Sequence, residues 1–298
     1  MDFPRIPIGD WVATGIDWLT INADFFFDFL STIMKFLVEG LSDVLIAVPW
    51  PVMVLVLAAL GWVLRSVRFA ALSLVGFLLI VGMNQWDNAM LTLSMVLIAT
   101  LLAVIVAIPL GIAAAQSDSV SAAVKPILDF MQTMPAFVYL IPAVTFFSIG
   151  VVPGLFSTII FALPPGVRMT ELGIRGVAEE TVEAGQAFGA KRSEILFGIQ
   201  LPLAVPTIMA GINQVIMLAL SMAVIAGIVG ADGLGKEVVS SISTLNLAKG
   251  VEAGLSVVFL AIFLDRFTGA LGDKKARGKS SLLALARKAR SSEPVTAA

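Results

Sequence analysis

Apolar residues run through this chain in stretches longer than a soluble helix or strand needs, and polar positions gather between the stretches rather than alternating within them. A helix requires about 20 mainly apolar residues to cross a hydrocarbon layer roughly 30 Å thick. Seven segments approach that length, at 44–64, 69–83, 88–115, 126–149, 154–170, 204–230 and 251–271. The pattern predicts an all-α membrane protein with about seven transmembrane helices. The first segment contains Pro49 and Pro51 and the second is short, so their ends are the least sharply drawn.

The stretch 10–43 has a different texture. Trp11, Ile16, Trp18, Phe25, Phe26, Phe29 and Leu30 are interspersed with acidic residues and Asn22, the pattern of helices lying in the membrane interface. Residues 1–43 therefore read as an extracytoplasmic, interfacial segment ahead of two N-terminal spans within 44–83. Trp50, Trp62 and Trp86 fall near span ends, where an aromatic belt is expected. Met1–Asp10 lacks the basic and apolar regions of a cleaved secretory signal.

Charge sets the orientation. The tail 272–298 holds Lys274, Lys275, Arg277, Lys279, Arg287, Lys288 and Arg290 against Asp273 and Glu293, and basic residues near span ends stay in the cytoplasm. Counting back through seven spans also puts Arg65, Arg68, Arg168, Arg175, Lys191 and Arg192 inside and the N-terminus outside. Independently of that count, residues 1–43 carry seven acidic residues and only Arg5 and Lys35 as bases. The tail reads as a positive-inside anchor, with binding of anionic lipid as a sensor of ionic strength the alternative.

With 58% hydrophobic and 13% charged residues, and a mean hydropathy of +0.99, composition agrees with a bilayer location. The chain has no cysteine and no histidine, which removes thiol and imidazole chemistry and the commonest transition-metal ligands. The sequence 230–235, GADGLG, lacks the Gly-Lys-Ser/Thr of a phosphate loop and reads as a turn after the sixth span.

One polar insertion interrupts the apolar pattern, at 179–202 between the fifth and sixth spans. Glu183, Ala184 and Gly185 are followed by Gly189 and then, after nine residues, by Ile199, Leu201 and Pro202. The expected structure is a helix with small residues on its surface, a glycine turn, a second short helix over 191–198, and a span opened by Pro202. Ala184, Gly185 and Ala187 would let another protein approach the backbone closely, while Glu179 and Glu183 face one side.

This spacing resembles the EAA loop of ABC importer permeases, with Gly185 in place of the usual second alanine. The segments DFMQTMPAFVYLIP (129–142), IFALPPGVR (160–168) and LPLAVPTIMAGINQVIMLALSM (201–222) resemble ProW-like glycine betaine/proline permeases, and that likeness extends over roughly 10–271. The resemblance implies a type I importer (MetI-like) permease core over 88–271, with 179–202 coupling it to a cytoplasmic ATPase. It implies no cofactor on this chain and ATP-Mg on the partner ATPase. The implied partners are a second copy of the chain, a ProV-like ATPase pair, a ProX-like extracytoplasmic binding protein and membrane lipid, with no nucleic acid. The implied location is the bacterial inner membrane, and the implied cargo is glycine betaine or a related compatible solute.

Quaternary ammonium groups are held by aromatic cages, and this chain has one tyrosine, Tyr139, with its tryptophans near span ends. High-affinity recognition is therefore expected on the binding protein. Candidate pathway residues are Gln132, Thr133, Phe137 and Tyr139 in the fourth span and Asn213, Gln214, Met217 and Ser221 in the sixth, since polar groups in a bilayer turn toward a cavity or bond neighbouring helices. Pro135 and Pro142 are candidate kinks in a moving gate. Rival classes are choline or carnitine uptake for catabolism, an ion-coupled secondary carrier, and a membrane enzyme. The insertion argues against the carrier, and the missing histidine and cysteine against the enzyme.

Overall fold

The computed structural model describes residues 6–272. The basic tail after Gly272 lies outside the described residues. Every regular element among them is helical, in the order α1 (Ile8–Asn22), α2 (Asp24–Ala47), α3 (Trp50–Leu64), α4 (Val67–Gly82), α5 (Trp86–Gln116), α6 (Asp118–Thr133), α7 (Leu140–Phe147), α8 (Val151–Arg175), α9 (Glu179–Ala187), α10 (Arg192–Ile195), α11 (Leu201–Ile225), α12 (Leu234–Ser243) and α13 (Leu247–Gly272). By length and composition, α5, α8, the continuous run Arg192–Val229 and α13 are each sufficient to cross a bilayer. The other three apolar stretches take different forms.

The stretch 44–64 is divided by Pro49. Helix α2 ends at Ala47, and α3 leaves it at an angle of 106°. Proline cannot continue the helix that precedes it and is favoured at the start of the next one. Helix α2 carries three lengthwise stripes: charges at Asp24, Asp28, Lys35, Glu39 and Asp43, exposed apolar groups such as Phe25, Phe29 and Phe36, and a face against the core at Met34 and Val38. That division suits a helix lying along an interface, with water, lipid and protein on separate sides. The stretch 69–83 forms only the 16-residue α4.

The stretch 126–149 differs most from one straight span. Helix α6 begins earlier, at Asp118, and meets the segment Ala136–Phe147 at 107°. The break falls at Met134 and Pro135, both in extended conformation. Pro135 therefore breaks the segment, whereas Pro142 sits unobtrusively in the first turn of α7.

The centre is built by α5, α8 and α11, which approach closely through small residues. A Cβ on Gly166 would lie 2.9 Å from Ala107 Cβ, and one on Gly211 2.5 Å from Met169 Cβ. The 230–235 turn packs α12 back on the end of α11. Gly230 and Gly233 have φ of +84° and +120°, and the backbones of Gly227 and Gly235 touch. The buried Leu234 N–H donates to Thr92 Oγ1 at 2.9 Å, supplying one of the partners that the start of α12 needs.

Candidate functional site

The insertion at 179–202 forms a helix, a turn and a second helical run. Helix α9 ends in a paired arrangement: Gly189 N–H donates to Gln186 O at 2.8 Å and Ala190 N–H to Gly185 O at 3.1 Å, with Gly189 at φ +79°. This is the Schellman closure that a left-handed residue after a helix permits. Lys191 N–H then donates to Glu194 Oε2 at 2.8 Å and starts α10.

Two details differ from the sequence-based expectation. Gly185 is buried and faces inward, where a Cβ would lie 2.9 Å from Ile199 Cδ1 and 3.4 Å from Ile195 Cγ1. Its smallness serves the packing of α9 on the following turn, while Ala184 and Ala187 stay exposed. The second short helix over 191–198 is not separate either. The chain runs from Arg192 into α11 through a wide π-type turn at Leu196–Gln200, with Leu201 N–H donating to Leu196 O. Pro202 has no N–H for Gly198 O, and its ring crowds that carbonyl, so the preceding turn widens without interrupting the helix.

Phe188 is the residue that sequence reasoning overlooked. It sits between α9 and Gly189 and is 92% exposed. A phenylalanine beside the turn glycine of a polar insertion was the available signal. Glu179, Glu180 and Glu183 are also exposed, so the tip offers one aromatic ring beside negative charge.

The pathway candidates separate into groups. Gln214, Met217 and Ser221 are exposed along one face of α11, in line with Ala210, Pro206 and Leu203. Gln132, Thr133 and Phe137 are exposed around the break after α6. Tyr139 is buried: its hydroxyl donates to Met131 O across the break, and Ser157 Oγ donates to its carbonyl at 3.0 Å. Asn213 faces α13, where its amide donates to Asp265 Oδ1 at 2.9 Å and accepts from Thr268 Oγ1 at 2.6 Å. Both residues thus bond neighbouring segments of the chain. Replacing Asn213 with leucine is expected to lower the thermal midpoint of the detergent-solubilised protein, by about 1–3 kcal/mol of lost stability, because Asp265 loses a donor. If its role is this bond alone, the substrate concentration for half-maximal uptake should stay unchanged; a large shift would show that Asn213 also serves the pathway.

Polar groups collect at the end of the molecule that bears α9. Arg175 Nη2 donates to Ala114 O and pairs with Asp118, both at 2.8 Å. On the far side of the bundle, Arg65 Nη1 donates to Arg266 O at 3.0 Å. The close contact of Gly272 with Met209 brings the end of α13 beside the first half of α11.

Comparison with known proteins accords with this geometry. Residues 107–277 match the family described as binding-protein-dependent transport system inner membrane component. The glycine betaine transport system permease protein OpuAB of Bacillus subtilis (strain 168) is 47% identical over 278 residues, covering 93% of this chain and 99% of that protein. The glycine betaine/proline betaine permease ProW of Escherichia coli (strain K12) is 43% identical over 274 residues, covering 92% and 77%. A chain of the inward-facing methionine ABC transporter MetNI superposes with a TM-score of 0.58 at 19% identity, over 63% of this chain and 93% of that one, and attests the shared fold. With its helical core, its helix-turn-helix insertion and these matches together, the chain belongs to the family of inner-membrane permease components of binding-protein-dependent transport systems.

Proposed function

We propose that this chain forms the translocation pathway of an ATP-driven importer for glycine betaine and related compatible solutes. The observation that carries the ATP-driven part is the element at 179–202: a rigid turn, closed by Gly189, holding Phe188 and three glutamates clear of the bundle. An exposed aromatic ring with a charged surround is the composition of an interface anchor. It docks into a cytoplasmic ATPase dimer that holds ATP-Mg, and this chain hydrolyses nothing itself. The cargo assignment rests on the names of the two betaine permeases that share close to half of its residues.

Two copies of the chain line the pore with the α11 stripe of Gln214, Met217 and Ser221 and the α6 break at Gln132, Thr133 and Phe137. Exposed polar groups in a chain made for lipid call for a protein or aqueous neighbour. The end with Arg65, Arg175, Lys191 and Arg266 faces the cytoplasm, by the charge rule. An extracytoplasmic binding protein delivers the solute at the opposite end, and the pathway binds it weakly enough for release.

The test is reconstitution into liposomes with the cognate ATPase and binding protein. Uptake of radiolabelled glycine betaine should require ATP, ATPase and binding protein together. Uptake by this chain alone, driven by a sodium or proton gradient, would refute the reading.

A further inference from the structure

The contact between α6 and α8 is unlike those among α5, α8 and α11. Where α5, α8 and α11 meet through small and apolar groups, α6 presents a polar or charged residue once per turn toward α8. Lys125 Nζ lies 3.5 Å from Glu171 Oε1, and Ser121 Oγ donates to the same oxygen at 2.7 Å. One turn away on either side, Asp118 pairs with Arg175 and Asp129 with Arg168. Arg175 Nε returns to Glu171 at 3.1 Å, so the ladder closes on itself. Glu171 is its centre, with a side chain only 9% exposed. A carboxylate so far from water is tolerated because its partners surround it, and loss of those partners is costly.

The sequence of charges also fixes the register. Slipping α6 by one turn in one direction sets Lys125 toward Arg175 and Asp129 toward Glu171, and in the other sets Lys125 toward Arg168 and Asp118 toward Glu171. Either slip puts like charges together, which disfavours the wrong alignment. The two helices lead to different places. Helix α8 passes through Gly176–Ala178 into α9, while α6 leads to the break at Pro135 beside Gln132, Thr133 and Phe137.

We infer that the Glu171-centred ladder makes the inner half of α8 and α6 a single rigid strut, which carries a displacement of α9 to the broken segment lining the pathway. Glu171, Lys125 and Arg175 are thus positioning residues for transport. This rests on the coupling role given above to 179–202.

The chain has no cysteine, which permits a direct test. Val124 of α6 and Val167 of α8 share a small apolar cluster with Ala107 of α5. In the complete complex with ATPase and binding protein, V124C/V167C joined by a short thiol bridge should transport at the unbridged rate, because the strut does not flex. Glu171→Gln keeps the shape and an acceptor for Ser121 but removes the charge. It should retain the ATPase and its turnover while solute imported per ATP falls about tenfold. Bridging Glu171→Gln through the same two cysteines should restore that ratio, a rescue that a general loss of stability does not predict. Abolished transport in the bridged parent would overturn the inference. So would normal coupling in Glu171→Gln, or loss of the ATPase from it, which would make the ladder part of the docking surface. Failure of the coupling role itself shows separately, as ATP-independent uptake by the unmodified chain.

Discussion

Replacing Gly189 with valine is expected to remove ATP-dependent uptake and to release the ATPase from the complex, while the chain still inserts in the membrane. A Cβ at this position meets nothing within 4 Å, so crowding is not the obstacle. The obstacle is φ +79°, which a β-branched residue avoids. Holding it there costs about 1–3 kcal/mol, which is on the order of a tenfold to hundredfold loss of the native turn. The turn would re-form at negative φ, break the Ala190 to Gly185 hydrogen bond and redirect the exposed Phe188. Asparagine tolerates the left-handed region, so Gly189→Asn should retain most of the activity. Phe188→Ser should weaken ATPase retention without disturbing the turn. Equal uptake and ATPase retention by the valine and asparagine variants would count against the coupling assignment.

The second large effect concerns folding. At Gly235 a Cβ would lie 2.6 Å from both Ala223 O and Val224 O, and the Gly227 backbone faces it directly. Gly235→Leu leaves the side chain no room, and displacing α12 is expected to cost about 3 kcal/mol or more. The measurement is the thermal midpoint in detergent together with the yield of monodisperse protein. Gly254, inside α13, has nothing within 4 Å of a Cβ, so Gly254→Ala should be neutral or stabilise by roughly 0.5–1 kcal/mol. If the two substitutions behaved alike, close backbone approach would not be what seats α12.

These contrasts show which parts of the molecule a linear reading reaches. Helices α5, α8, α11 and α13 follow from uninterrupted apolar length, and the sequence bounds of 204–230 and 251–271 fall within a few residues of the observed ends. The turn at Gly189 was legible because a lone glycine between helical stretches has a backbone meaning of its own. The two sharp bends were less so. Hydropathy is blind to direction, and Pro49 and Pro135 resemble Pro109, Pro164 and Pro165, which lie inside helices here. What separates them is the tertiary packing around each.

Side-chain orientation was harder still. Asn213 and Gln214 are adjacent and chemically alike, yet one bonds α13 and the other is exposed, a difference of 100° around the helix that only the neighbours decide. Gly185 looked like an exposed small residue for the same reason, because Ile195 and Ile199 come to lie beside it only once the chain has turned. The charges of the α6 ladder were each visible, and their pairing was not, since it joins positions about 40 to 60 residues apart.

Helix α5 has 31 residues, about 46 Å of helix, which is half again the thickness of the hydrocarbon it crosses. Its first turns are sheathed: Ser94 Oγ donates to Val38 O of α2, Thr92 caps α12, and Trp86 meets Phe77 of α4 edge to face. Large exposed side chains begin at Leu97 and continue through Leu101, Ile105 and Val106. From Leu97 to Gln116 there are 20 residues, about 30 Å. The length offered to lipid therefore matches an ordinary bilayer, and the surplus is absorbed by a collar of the protein's own helices. Hydrophobic mismatch is resolved inside the chain, so α5 needs neither a steep tilt nor a thickened membrane to be accommodated.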